Sequence, residues 1–248
     1  MPWLGKGLVE LLFTPESLCP VCFQERSLQK GLGKQCLNRI MFISPPYCAK
    51  CGKPLRLQTQ NRALCKQCET APVYYQQARA VALYEGALRE YLTDLKYRYR
   101  PELGQALGEL LVEWLKANPE FSKADLVIPI PLHPQKLTLR GYNQARLLAE
   151  PLSKYLGMPV NDSVLVRTKL TETQNSLKRV ARFANVRGAF QIVETSAVKG
   201  KLVLLIDDIL TTGATASEAA RILLKAGALQ VNVLTVASGI METHWLSE

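Results

Sequence analysis

The sequence predicts an α/β fold, in which a mainly parallel sheet carries helices on both faces and follows a small cysteine-rich module. Short, continuous aliphatic runs such as residues 202–206 are typical of strands that are buried on both faces. Helical patterns alternate with these runs, which favours parallel pairing of the strands. All cysteines fall before residue 69, and the 248 residues, 48% of them hydrophobic, suffice for one sizeable domain and an appendage.

The composition points to metal binding and to an anionic partner. The net charge of +10 suggests a polyanion without identifying it. Seven cysteines, an odd number, in a chain without a secretion signal argue against a disulfide framework and for a metal site. The apolar runs are too short to span a bilayer. We therefore expect a cytoplasmic protein, which at most lies peripherally at the inner face of the cytoplasmic membrane.

Residues 1–72 form the first predicted unit, in which cysteines recur as closely spaced pairs. Each C-x-x-C knuckle places two thiolates on one tight turn, and two knuckles make a tetrahedral zinc site. A unit this small and polar would take much of its stability from the metal, so we expect structural Zn²⁺. The set with the spacing of a zinc ribbon is Cys48, Cys51, Cys65 and Cys68.

The remaining cysteines, Cys19, Cys22 and Cys36, form a second candidate zinc site that lacks a fourth thiol. Either this site is degenerate or a different set of four ligands binds the metal. Catalytic zinc is not expected, because no histidine or carboxylate accompanies the cysteines. Redox chemistry at a C-x-x-C pair is a minor alternative.

Residues 73–248 form the second predicted unit, which begins with a strand at 79–84 and a helical segment with interleaved basic and aromatic residues. Such interleaving is typical of surfaces that bind single-stranded nucleic acid, where rings stack on bases and cations follow the phosphates. An amphipathic helix end with solvated cations explains it equally well. The candidate nucleic-acid residues here are Lys96, Tyr97, Arg98, Tyr99 and Arg100.

Two further stretches carry cations. A buried strand at 125–130 leads into a proline-rich loop with Lys136 and Arg140 and then a helix, an order that suits an anion site. Residues 164–193 have no acidic residue between Glu172 and Glu194 and form either a mobile loop over an active site or a nucleic-acid track. The candidate residues of that stretch are Lys178, Arg179 and Arg182.

The organising motif is residues 201–215, KLVLLIDDILTTGAT. A buried strand ends in Asp207 and Asp208, and a threonine-rich turn then presents backbone N–H groups and hydroxyls at a helix N-terminus. Such a turn is a phosphate cradle. The two carboxylates can hold ribose hydroxyls, directly or through Mg²⁺, so the motif predicts a ribose-5-phosphate site. The strand also looks like a Walker B strand, but the chain lacks GxxxxGK[ST], which argues against an NTPase.

The motif resembles the site for phosphoribosyl pyrophosphate (PRPP) in type I phosphoribosyltransferases. Together with the cysteine knuckles, PIPLHPQKLTLRGYNQ and RTKLTETQNSLKRVARFANVRGAF, it resembles the ComF/GntX (ComFC) family over nearly the whole chain. These phosphoribosyltransferase-like proteins are needed for DNA uptake in natural transformation. The family usually carries four cysteine pairs, whereas this chain has Gly33 where the partner of Cys36 would fall.

The resemblance implies roles for the site residues. Asp207 and Asp208, the expected catalytic residues, would engage the ribose hydroxyls and Mg²⁺, and the loop with Lys136 and Arg140 would face the pyrophosphate. Purine-salvage enzymes tend to have an acidic residue at the position of Thr211, so free purine is not the expected acceptor. The residues implied to cradle the 5-phosphate are Thr211, Thr212, Gly213, Ala214 and Thr215.

Three functions follow from these observations. The leading hypothesis is a PRPP-binding protein that handles incoming single-stranded DNA in the cytoplasm during natural transformation. The second is a metabolic phosphoribosyltransferase, a glycosyltransferase that transfers ribose 5-phosphate from PRPP to an unknown acceptor. The third is a non-catalytic adaptor that docks a DNA-uptake helicase or another competence protein.

Overall fold

The predicted parallel sheet with flanking helices is confirmed. The computed structural model describes residues 18–28, 31–55, 63–71, 73–171 and 179–239. Four parallel strands lie in the order β1-β6-β5-β2, and a separate antiparallel pair is formed by β3 and β4. The strands are β1 (Gln77–Leu83), β2 (Leu126–Pro129), β3 (Leu165–Arg167), β4 (Phe190–Ile192), β5 (Leu202–Leu210) and β6 (Gln230–Ser238).

The helices pack on both faces of this sheet, because alternate residues of its strands point to opposite sides. Leu204 and Ile206 pack with α3, α4 and α6 on one face. Val203 and Leu205 pack with α8 and the β3–β4 pair on the other. The helices are α1 (Lys34–Asn38), α2 (Lys66–Thr70), α3 (Gly86–Tyr97), α4 (Glu102–Ala117), α5 (Pro134–Arg140), α6 (Gln144–Leu156), α7 (Arg179–Val186) and α8 (Ala214–Lys225), with a 3₁₀ turn at Pro119–Ser122.

The cysteine-rich segment wraps the β1 edge of the sheet. The Ile43 N–H donates to the Val81 carbonyl at 3.0 Å, and the Leu83 N–H donates to the Met41 carbonyl at 2.8 Å. Cys19 and Cys36 belong to the apolar cluster on one face, and Cys48, Cys51 and Cys65 belong to the cluster on the other. This arrangement covers the exposed hydrogen-bonding groups of an edge strand, which would otherwise invite pairing with another chain.

Two elements differ from the sequence expectation. The loop expected after β2 contains the helix α5, because Pro134 occupies its first turn, the His133 ring accepts the Gln135 N–H, and Gly141 ends it with φ +79°. The strand expected to end in Asp207 and Asp208 continues to Leu210 and pairs with β6 along the way. Among the described residues, no helix has the length and apolar character needed to cross a membrane.

Helices α4 and α6 approach closely because two glycines face their contact. An ideal Cβ on Gly104 would lie 2.4 Å from the Leu147 Cβ, and one on Gly108 would lie 2.7 Å from the Leu148 carbonyl oxygen. Neither distance is compatible with a methyl group unless the helices move apart. The two positions therefore set the spacing of the helix layer over the sheet.

We expect Gly108→Ala to destabilise the protein, although alanine is the better helix former by about 1 kcal/mol. The added methyl group meets a backbone carbonyl that cannot rotate away, and overpacking of this kind costs about 1–3 kcal/mol. Urea unfolding followed by circular dichroism measures the change. Gln105→Ala is the control, since Gln105 is exposed on the same helix. A Gly108→Ala variant as stable as Gln105→Ala would contradict the close contact.

Candidate functional site

A cavity of about 360 Å³ opens at the carboxyl ends of β2 and β5. Ligands of parallel α/β sheets bind at this edge. Helices α3, α5 and α7, the segment after β3 and the turn into α8 complete the wall. The charged residues that line the cavity are Arg89, Lys96, Lys136, Arg167, Arg182, Asp207 and Asp208.

The two aspartates near the carboxyl end of β5 differ in their surroundings. Asp208 is buried and forms an ion pair with Lys96, with 2.7 Å between Nζ and Oδ2. Burial opposes the charge on Lys96, but the attraction of Asp208 outweighs it and the pKa of Lys96 is raised. The Asp207 carboxylate accepts the Asp208 N–H at 2.9 Å. Burial and the neighbouring Asp208 charge raise the pKa of Asp207 to about 7.

Lys136 and Arg167 contribute positive charge to the cavity, opposite in sign to the two aspartates. The Lys136 ammonium donates to the Thr171 carbonyl at 3.1 Å, and the Arg167 guanidinium donates to the Thr171 hydroxyl. Burial and the nearby arginines Arg167 and Arg140 lower the pKa of Lys136, and burial lowers that of Arg167. The Arg167 Nε is buried without a hydrogen-bond partner among the described residues. An anion bound beside these cations would supply the acceptor that the Arg167 Nε lacks.

The turn before α8 presents different groups to two sides. Thr211 and Thr215 line the cavity at the N-terminus of α8. Thr212 and Gly213 face Cys51 and Cys68 instead, and Gly213 has φ +77°. Tyr75 lies against this turn, since its hydroxyl oxygen would be 2.7 Å from a Cβ on Gly213. The turn therefore connects the cavity with the cysteine-rich segment.

The other candidate residues are distributed between the cavity and its rim. Arg140 lies over the Tyr97 ring at 5.5 Å and donates to Gln144. Arg98 pairs with Asp94 at 3.2 Å. Arg100 lies apart from the cavity lining, because its guanidinium contacts Glu102 and the Pro20 carbonyl.

The basic stretch 164–193 is only partly described. Lys178 lies outside the described residues, and Arg179 begins α7 without a described side chain. Arg182, one turn later, lines the cavity.

Sequence reasoning missed two cations of the cavity, Arg89 and Arg167. Arg167 ends the apolar run of β3 much as Asp207 follows the apolar run of β5, so a charged residue at a strand end was the available signal. Arg89, Thr93 and Lys96 share one face of α3, which the spacing of i, i+4 and i+7 could have revealed.

The thiols of Cys48, Cys51, Cys65 and Cys68 converge, with ligand atoms within 4.8 Å of one another. The sulfurs of Cys51 and Cys65 are 3.7 Å apart. That distance is close to the edge of a tetrahedron with zinc–sulfur bonds of about 2.3 Å. The donor set and its geometry therefore fit structural zinc.

Comparisons with known proteins agree with both parts of the chain. Residues 8–69 match the model of a double zinc ribbon domain, and residues 143–243 match that of a phosphoribosyl transferase domain. The DNA utilization protein YhgH of Shigella flexneri is 32% identical over 226 residues, which cover 90% of this chain and 97% of that protein.

Two relatives carry competence names. Competence protein F of Haemophilus influenzae is 30% identical over 84% of this chain and 91% of its own length. Competence protein ComFC of Bacillus subtilis is 32% identical over 77% of each chain.

Proposed function

Because this chain belongs to the ComF family of proteins with a phosphoribosyl transferase domain, we propose that it binds PRPP and handles single-stranded DNA during natural transformation. The observation that carries the proposal is the cavity at the carboxyl ends of β2 and β5. Five cationic side chains, two carboxylates and the threonine-rich turn of α8 meet there. The ribose hydroxyls, the 5-phosphate and the pyrophosphate of PRPP need these three kinds of partner.

The 5-phosphate binds at the turn into α8. Thr211 and Thr215 offer hydroxyls on the cavity side, at the N-terminus of this twelve-residue helix, where the first backbone N–H groups lack partners within the helix. The positive end of the helix dipole adds to the attraction for a dianion. The Tyr75 contact and the left-handed conformation of Gly213 hold the turn in this shape.

The carboxylates bind the ribose hydroxyls and Mg²⁺. Oxygen ligands from carboxylates suit Mg²⁺, which usually binds proteins through one or two of them together with substrate phosphates. Lys96 already neutralises Asp208, so Asp207 is the better candidate for the metal. When bound, the metal would neutralise part of the pyrophosphate charge. The ion pair with Lys96 holds the Asp208 side chain in place as an acceptor for a ribose hydroxyl.

The cations Lys136 and Arg167 bind the pyrophosphate. In the reaction that this fold supports, the bond between ribose C1 and the pyrophosphate oxygen breaks, and the departing group carries away the electron pair. Fixed cations stabilise that developing charge, because they need not reorganise as the bond breaks. Among the described residues that line the cavity, Asp207 and Asp208 are the only carboxylates. Because no other carboxylate there can serve as a general base, the acceptor would have to be nucleophilic without the help of one.

The test of PRPP binding is calorimetric titration of PRPP with Mg²⁺ into wild type and Asp207→Asn/Asp208→Asn. Each lost hydrogen bond to a charged group is worth about 1.5–3 kcal/mol, so we expect the variant to bind at least ~100-fold more weakly. Asp207→Asn alone keeps the Lys96–Asp208 ion pair and guards against misfolding of the double variant. Glu113→Gln/Glu150→Gln removes two exposed carboxylates as a control. A folded wild type without binding heat would contradict the proposal.

A separate prediction concerns the contribution of Arg167 to PRPP affinity. Replacing it by glutamine removes the charge and the unpartnered Nε donor that we assign to the pyrophosphate. We expect PRPP affinity to fall by about 10- to 150-fold, since hydrogen bonds to charged groups are worth about 1.5–3 kcal/mol. Ribose 5-phosphate lacks the pyrophosphate and should lose little affinity in the same titration. Arg146→Gln, which removes an exposed cation paired with Glu150 and Asp162, is the control. Equal losses of affinity for PRPP and for ribose 5-phosphate would contradict the assignment of Arg167 to the pyrophosphate.

The DNA-handling part of the proposal is supported by the rim of the cavity. Tyr97 lines the cavity yet exposes 66% of its surface, and Tyr99 is equally exposed. Arg140 lies over the Tyr97 ring at 5.5 Å, and Arg98, between the two tyrosines in the chain, has an exposed side chain. Exposed rings flanked by cations match the stacking platforms on which single-stranded nucleic acids bind. A strand lying there would pass the mouth of the PRPP cavity.

We expect a fluorescent thymidine oligomer to bind with an affinity that falls steeply with salt, because phosphate contacts release counterions. Tyr97→Ala should weaken binding by about 5- to 150-fold, the range expected for one lost base stack of about 1–3 kcal/mol. Tyr155→Ala removes an exposed tyrosine outside the cavity lining and serves as the control. Fluorescence anisotropy measures both. Salt-independent binding, or equal affinities of the two variants, would contradict the stacking platform.

A further inference from the structure

The two halves of the cysteine-rich segment repeat one local structure. In the first half, the Cys19 N–H donates to the Glu25 carbonyl and the Phe23 N–H donates to the Cys19 carbonyl, at 2.8 and 2.9 Å. In the second half, Cys48 and Gly52 make the corresponding bonds, to Lys53 and Cys48, at the same two distances. Phe23 has φ 55° and Gly52 has φ 70°, so both knuckles turn through the left-handed region. The Cys19–Cys22 knuckle is therefore built like the Cys48–Cys51 knuckle.

The repeat extends to the second pair of ligands in each half. Cys65 is the N-cap of α2, with φ −80° and ψ 154°, and Cys68 lies within that helix. Gly33 is the N-cap of α1, with φ −71° and ψ 160°, and Cys36 lies within that helix. Gly33 thus stands at the place of Cys65, and the first cluster lacks one thiolate.

The carboxyl group of Glu25 fills the space that this missing side chain leaves. An ideal Cβ on Gly33 would lie 2.3 Å from the Glu25 Cδ and 2.4 Å from its Oε1. The Gln35 N–H donates to both carboxylate oxygens, at 3.0 and 3.1 Å, and the Cys36 N–H donates to Oε1 at 3.2 Å. The Glu25 carboxylate therefore occupies the position of the absent ligand and is fixed there by backbone donors.

The cluster has the composition and geometry of a metal site. The sulfurs of Cys19, Cys22 and Cys36 and a carboxylate oxygen of Glu25 all lie within 4.8 Å of one another. Zinc binds carboxylate oxygen at about 2.0–2.2 Å as well as thiolate sulfur. A carboxylate carries the same charge as the thiolate it replaces, so the charge of the metal site stays as in a four-cysteine ribbon.

We propose that the first ribbon binds a structural zinc ion through three cysteines and Glu25. The carboxylate accepts the helix N–H groups with one part of its oxygen lone pairs and coordinates the metal with another. A carboxylate that only capped α1 would not require three thiols around it. The site is closed, because four protein ligands fill a tetrahedral shell and leave no position for a substrate.

The experiment measures zinc per chain by atomic emission after dialysis against graded chelator. We expect two zinc ions per wild-type chain, one for each cluster. Glu25→Gln keeps an oxygen acceptor for the helix N–H groups but replaces the carboxylate by a poor ligand, so it should retain one zinc at chelator concentrations where wild type keeps two. Glu69→Gln, a change in α2 outside both clusters, should keep two.

A rescue variant separates ligation from folding. Glu25→Ala clears the space beside Gly33, whose extended backbone accepts any side chain, so Glu25→Ala/Gly33→Cys restores four thiolates and should bind two zinc ions again. Glu25→Ala alone should bind one. Wild type with a single zinc, or Glu25→Gln with the chelator resistance of wild type, would reduce Glu25 to a helix cap and overturn the proposal.

Discussion

The buried ion pair between Lys96 and Asp208 is the interaction on which the cavity depends. It joins α3 to the tip of β5, and removing one partner would leave a buried charge at a cost of about 3–5 kcal/mol. It also uses up one of the two carboxylates at the tip. The remaining cationic side chains, Lys136 and Arg167 among them, then outnumber the one remaining carboxylate, that of Asp207. The fold therefore produces a cavity with an excess of positive charge.

The cysteine-rich segment supports that cavity from outside. Its second cluster borders the turn before α8 through Tyr75, and the neighbouring Tyr74 N–H donates to the Ser217 hydroxyl at 3.1 Å. A turn with a left-handed Gly213 would sample other shapes without such neighbours. A metal ion bound by the second cluster would therefore also stabilise the turn that we propose binds phosphate, since Cys51, Cys68 and Gly213 line the same small pocket.

The sequence predicted the parts of the site that are local in the chain. Residues 201–215 contain their own strand, turn and helix, so the motif could be interpreted without knowing the rest of the fold. Arg167 and Glu25 could not be found in this way, because tertiary packing brings them to their partners. The expectation that no carboxylate accompanies the cysteines is wrong. Glu25 reaches the first cluster because its knuckle folds back against Gly33.

Asp207 links the cavity to pH and to its ligand. Its pKa is about 7 in the folded protein against an ordinary 3.8, because burial and Asp208 oppose its charge. Between pH 4 and 7 the unfolded chain loses this proton while the folded protein retains it, so the contribution of Asp207 to the free energy of unfolding falls as the pH rises. The destabilising effect of Asp207 is largest above pH 7. A cation bound with PRPP would lower this pKa and remove the cost. Above neutral pH, ligand binding would therefore remove the destabilising effect of the buried Asp207 charge.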